Sequence, residues 1–92
     1  MVNEYFKKQD EFLAELIEAY KQGFFIGKEY EPYFNWKITK VNNITKDDAQ
    51  RLMWKVSEDL DKQYDTGNNK QIEYLEAIDS EITNILTAGL YV

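Results

Sequence analysis

Apolar residues recur with helical spacing in three stretches of this chain. Around Leu13, at 100° per residue, Phe6, Leu16, Ile17 and Tyr20 fall within about 60°, with Val2 joining if the helix starts early. Tyr5 and Phe12 widen one edge of that stripe. The spacing predicts a helix over about 4–22, with Gly23 as a stop signal although Phe24 continues the stripe. A second pattern opens at Thr45, where Thr45-Lys46-Asp47-Asp48 has the form of a capping box and Ile44 and Ala49 occupy the staple positions on either side. Asp47 and Asp48 suit the positive end of a helix dipole. Ala49, Leu52, Met53, Val56 and Leu60 then form a narrow stripe, which predicts a helix over about 46–65 closed by Gly67. The third stripe is the strongest: Ile72, Leu75, Ile78, Ile82, Ile85 and Leu86, capped by Asn68 or Asn69 and ended by Gly89. It predicts a helix over about 69–88, with Leu90 folding back onto Ile85. The short link through Gly67 makes the last two helices antiparallel neighbours.

Residues 24–44 follow no single period. Phe24-Phe25-Ile26, then Gly27, then an alternating Phe34-Asn35-Trp36-Lys37-Ile38 fit two short strands, and fit equally an aromatic loop or short helix over the open side of the core. Six rings (Phe24, Phe25, Tyr30, Tyr33, Phe34, Trp36) crowd this stretch. Three helices with narrow stripes need a lid, so we expect most of these rings to fill the core. The fold class expected is therefore mainly α: three principal helices and an aromatic-rich middle segment, short hairpin or short helix, with α+β as the alternative. At 92 residues one domain is expected over 1–92.

Composition then narrows the work available. The chain has no cysteine and no histidine, which leaves no thiol nucleophile and no imidazole base or ligand. We expect no enzyme, no cofactor and no metal site. Residues 1–56 balance nine acids against nine bases, whereas residues 57–92 set eight acids against Lys62 and Lys70. The whole net charge of −6 therefore lies in residues 57–92. No apolar run is long enough to span a bilayer, and Met1-Val2-Asn3-Glu4 opens no signal peptide, so no membrane and a cytoplasmic location are expected.

Two motif likenesses fail on their chemistry. Gly67 and Glu73 keep an EF-hand's glycine-to-glutamate offset, but the first ligand position would be Lys62, which repels a cation. The hairpin also has the outline of a helix-turn-helix, yet its second helix carries Glu73, Glu76, Asp79 and Glu81, which repel DNA. We therefore expect no nucleic-acid binding. Glu58, Asp61 and Asp65 fall opposite their helix's core stripe, where water keeps them ionised rather than poised for acid–base catalysis. They form either a solvated face or an acidic docking surface.

Two residues break the pattern. Trp54 lies on the charged side of its helix among Gln50, Glu58 and Asp61, so it either meets the 24–44 segment or waits for a partner. Asp79 falls inside the third apolar stripe, so it either bonds a tyrosine or tryptophan of the same domain or makes a polar contact across an interface or in a pocket. In size and charge the chain is similar to the small acidic inhibitors encoded by phages and mobile elements, some of which mimic DNA. That likeness is one of composition and implies an inhibitor or regulator. The expected function is a small acidic protein-binding module using Trp54, Glu58, Asp61, Asp65, Glu73, Glu76 and Asp79. Alternatives are a homodimer or other self-assembling subunit, and a small-molecule-binding protein with the aromatic cluster around its pocket.

Overall fold

Thr45 stops the chain in an extended conformation and turns its hydroxyl onto the Asp48 amide at 3.1 Å, so a helix begins at the next residue. The computed structural model describes the backbone of residues 2–40 and 44–92 and the side chains of residues 11–40 and 44–92. Helix α1 runs Val2–Lys21, α2 Glu31–Thr39, α3 Lys46–Thr66 and α4 Asn69–Ala88, with a 3-10 turn over Lys28–Tyr30 leading into α2. No strand occurs among the described residues, so the middle segment is the short helix and neither the hairpin nor an α+β fold. Pro32 in the first turn sets that choice, since proline is pre-shaped for a helix start and lacks only an amide the helix does not use. The alternation Phe34-Asn35-Trp36-Lys37-Ile38 is wound into α2, where Tyr33 and Phe34 are buried and Asn35 and Ile38 face outward.

The helix ends follow the backbone rules of their glycines. Gly23 takes φ +86°, and the amides of Gly23 and Phe24 return to the carbonyls of Tyr20 and Ala19 in a Schellman motif, so α1 stops although Phe24 suits its stripe. Gly67 and Gly89 end α3 and α4 in the same left-handed region, and the Leu90 amide reaches back to the Ile85 carbonyl. Asn68 caps α4 by accepting from the Gln71 amide. The link leaves α3 and α4 antiparallel and in the closest contact of any two elements.

The core sits between this hairpin and α1, closed by the aromatic segment. Ala49, Leu52, Val56, Leu60, Leu75, Ile78, Ile82 and Ile85 are buried as their spacing predicts, and the staple pair Ile44 and Ala49 is buried too. On α1 the buried face turns away from Leu13 and centres on Leu16 and Ala19, with Phe12, Leu13, Ile17 and Tyr20 packed at its margin. Val2, Tyr5 and Phe6 lie outside the residues whose side chains are described. Phe25 is the hub of the aromatic cluster, its ring within 5.2 Å of both Tyr30 and Phe34 and 6.3 Å of Tyr74. Tyr20 of α1 stacks on Phe34 of α2 at 4.2 Å. Each such ring contributes roughly 1.5–3 kcal/mol by leaving water.

Tyrosine brings a hydroxyl that must not be stranded in that core. Three tyrosines solve this the same way, each donating to a carboxylate that a lysine also holds. Tyr30 donates to Asp59 of α3 at 2.5 Å, and Lys55 pairs with the same carboxylate at 3.3 Å. Tyr33 donates to Glu81 of α4 at 2.6 Å, with Lys37 on the other oxygen. Tyr74 of α4 donates to Glu15 of α1 at 2.6 Å, with Lys70 at 2.8 Å. No buried side-chain nitrogen or oxygen among the described residues is left without a partner. Burial first, then the bond to Asp59, pushes the Tyr30 phenol well above its ordinary value; burial and then the Glu81 charge do so for Tyr33.

These pins carry two expected outcomes. Tyr33→Phe removes one hydroxyl bond while Glu81 keeps Lys37, a loss of about 1–2 kcal/mol in urea unfolding, whereas Glu81→Ala strands both groups and costs about 2–4 kcal/mol. No loss on Tyr33→Phe would mean that the hydroxyl bond does not fasten α2 to α4. A phenol whose folded pKa is raised lends stability that is whole below its unfolded value near 10 and drains away as the pH climbs toward the folded value, because the unfolded chain sheds its proton first. Ultraviolet titration should therefore show Tyr30 and Tyr33 ionising only together with loss of helical circular dichroism above pH ~10. Smooth ionisation of all seven tyrosines with the helices intact would contradict this.

Candidate functional site

Because the lid is closed by Phe25, Tyr30, Tyr33 and Phe34, the outer face of α3 is not needed to close the core. Trp54 stands on that face with 77% of its surface exposed. At that exposure it is not buried by the 24–44 segment, of which Glu29 lines the depression beside it. From Trp54, Glu58, Asp61 and Asp65 follow at one-turn intervals within about 40° of the same line, so an indole heads a row of carboxylates. All three acids are exposed, and Glu58 pairs with Lys62 at 3.4 Å.

The indole forms a ridge between two shallow depressions. One, of 480 Å³, is lined by Glu29, Gln50, Arg51, Trp54, Lys55 and Glu58 and is of mixed charge. The other, of 410 Å³, lies toward α4 and is lined by Met53, Trp54, Ser57 and Asp79. Here the two pattern-breaking residues come together from different helices. Asp79 is half-buried and, among the described residues, bonds neither a tyrosine nor a tryptophan and forms no ion pair.

Farther along the hairpin Tyr64 spans the two helices, its hydroxyl donating to Glu76 at 3.2 Å. Loss of water around the ring, then the charges of Glu76, Asp79 and Asp61, raise its phenol above the ordinary value. Those three carboxylates thus share one neighbourhood, with Trp54 at its edge. Glu73 does not belong to it: it turns toward α1 and lies 3.9 Å from Lys70, which is itself engaged with Glu15. That Lys70 bond, and then the Tyr74 hydroxyl, hold the Glu15 carboxyl below the usual range.

Of the residues expected from sequence, the structure therefore groups Trp54, Asp61, Glu76 and Asp79, extends the row through Glu58 and Asp65, and sets Glu73 apart. Met53, Ser57 and Tyr64 belong to the same face and were not anticipated; Ser57 and Tyr64 flank the Trp54 row, the positional signal that finds them. No three acidic side chains among the described residues gather closely enough to hold a metal ion. No helix among the described residues is long and apolar enough to cross a membrane. Comparison with protein-family models, curated proteins and solved structures finds no match.

An indole with three-quarters of its surface in water contributes little to folding. Trp54→Ala should leave the urea midpoint within about 0.5 kcal/mol of the parent, whereas Leu52→Ala, two residues away but buried, should cost about 2–5 kcal/mol. A large destabilisation by Trp54→Ala would mean that the indole belongs to the core.

Proposed function

We propose that the chain is a protein-binding module, an inhibitor or regulator that acts by covering a basic surface of another protein with the outer face of its α3–α4 hairpin. The observation that carries this is the exposure of Trp54 on a rigid helix at the head of an acidic row. Tryptophan recurs among interface hot spots because it buries much area at little entropic cost, and a solvated one is a standing penalty that a partner relieves. Glu58, Asp61, Asp65, Glu76 and Asp79 steer the encounter toward positive charge and repel the phosphate backbone. A partner that itself binds nucleic acid suits such a face, which would then stand in for the phosphate row. We take the cytoplasm as the compartment and binding, without turnover, as the activity.

A homodimer is the weaker reading for this face. A two-fold pair would set one acidic row against its copy, and like charges across an interface cost several kcal/mol. The chain's net charge of −6, all of it in residues 57–92, makes that repulsion general.

The test is differential retention of host proteins on the immobilised chain, on Trp54→Ala, and on the triple variant E58Q/D61N/D65N, at low and high salt. A retained protein that is lost on Trp54→Ala, weakened by the triple variant and released by salt supports the proposal. Retention identical on all three surfaces overturns it.

A further inference from the structure

The depression between α3 and α4 allows a narrower statement, which rests on the docking proposal above. We infer that Trp54 and Asp79 form a clamp for one arginine side chain of the partner protein, the guanidinium lying over the indole and pairing with the Asp79 carboxylate.

Three observations carry this. First, Asp79 is a half-buried carboxylate with no hydrogen bond or ion pair among the described residues. Asp59 and Glu81 are as enclosed, and each is held by a tyrosine and a lysine. Second, Asp79 lines the same 410 Å³ depression as the exposed indole, with Met53 and Ser57 completing its lining. An aromatic face, a methionine side chain and a carboxylate without an ion pair together select a cation with a flat, weakly hydrated head. Third, the surroundings are negative: Asp61 and Glu76 act with Asp79 on the nearby Tyr64 phenol. Arg51 and Lys55 line the depression on the other side of the ridge, not this one.

Arginine fits better than lysine for geometric reasons. A guanidinium is planar, stacks on indole and offers paired N–H donors to a carboxylate at the same time. An ammonium is a compact, strongly hydrated point that can satisfy only one of these contacts well.

The test uses the full chain, labelled with ¹⁵N, and two probes of equal charge, tetra-arginine and tetra-lysine peptides. The indole N–H signals of Trp36 and Trp54 are told apart with Trp36→Phe. We expect tetra-arginine to shift the Trp54 signal saturably and to bind about two- to fivefold more tightly than tetra-lysine, and Asp79→Asn to erase that advantage. Glu73→Gln, a charge change outside the depression, should leave the advantage intact. Equal affinity for the two peptides, or an advantage that survives Asp79→Asn, overturns the clamp. The partner assay separates the two levels. A protein whose retention needs Trp54 but is indifferent to Asp79→Asn contradicts the clamp and leaves the docking face standing; indifference to both substitutions refutes both.

Discussion

A phenol in a protein core is useful only if its hydroxyl has somewhere to go, and this structure depends on where three of them go. Tyr30, Tyr33 and Tyr74 bury their rings and direct their oxygens to the core's rim, where Asp59, Glu81 and Glu15 wait on other elements with Lys55, Lys37 and Lys70 behind them. Each pin joins two elements: the 3-10 turn to α3, α2 to α4, and α4 to α1. The rings supply most of the favourable free energy through burial, and the hydroxyl bonds add specificity by allowing only one seating for each ring.

Closing the core this way has a consequence on the far side of the hairpin. Because aromatic residues from the middle segment cover the open flank of α1, α3 and α4, the outer surface of α3 around Trp54 is not needed to close the core. An indole there is free to serve binding, and the carboxylates beside it are free to set a field. Two sets of acids in this chain show the contrast. Asp59, Glu81 and Glu15 are tied down by tyrosine and lysine, while Asp61, Asp65 and Asp79 have no lysine partner among the described residues. The first group holds the fold and the second faces whatever approaches.

Most of the hairpin was legible in the sequence because its signals are local. A Thr45 cap with Ile44 and Ala49 as a staple, an Asn68 cap, and glycines just past each end all act within a few residues, and α3 and α4 fall almost where their spacing puts them. The middle segment was ambiguous because apolar side chains lie all around α2, so no single face repeats, and Pro32 was the one local clue to a helix. Ala19 was missed as a centre of the α1 face because a methyl group contributes little to a hydropathy pattern. The tyrosine pins were illegible for a different reason: their partners lie 29, 48 and 59 residues apart, and only the packed fold brings them together. Trp54 and Asp79 were both visible as breaks in pattern, but their meeting in one depression is likewise a fact of tertiary packing.

The central claim is that tyrosine pins close the core without Trp54, which leaves that indole in water until a partner covers it. Acrylamide quenching of fluorescence measures this most directly, in a Trp36→Phe chain whose sole indole is Trp54; a neutral quencher avoids repulsion by the surrounding acids. Near-complete accessibility in the free chain, unchanged across a wide range of protein concentration and sharply reduced by a protein it retains, is the predicted result. An indole already shielded in the dilute free chain would contradict the account.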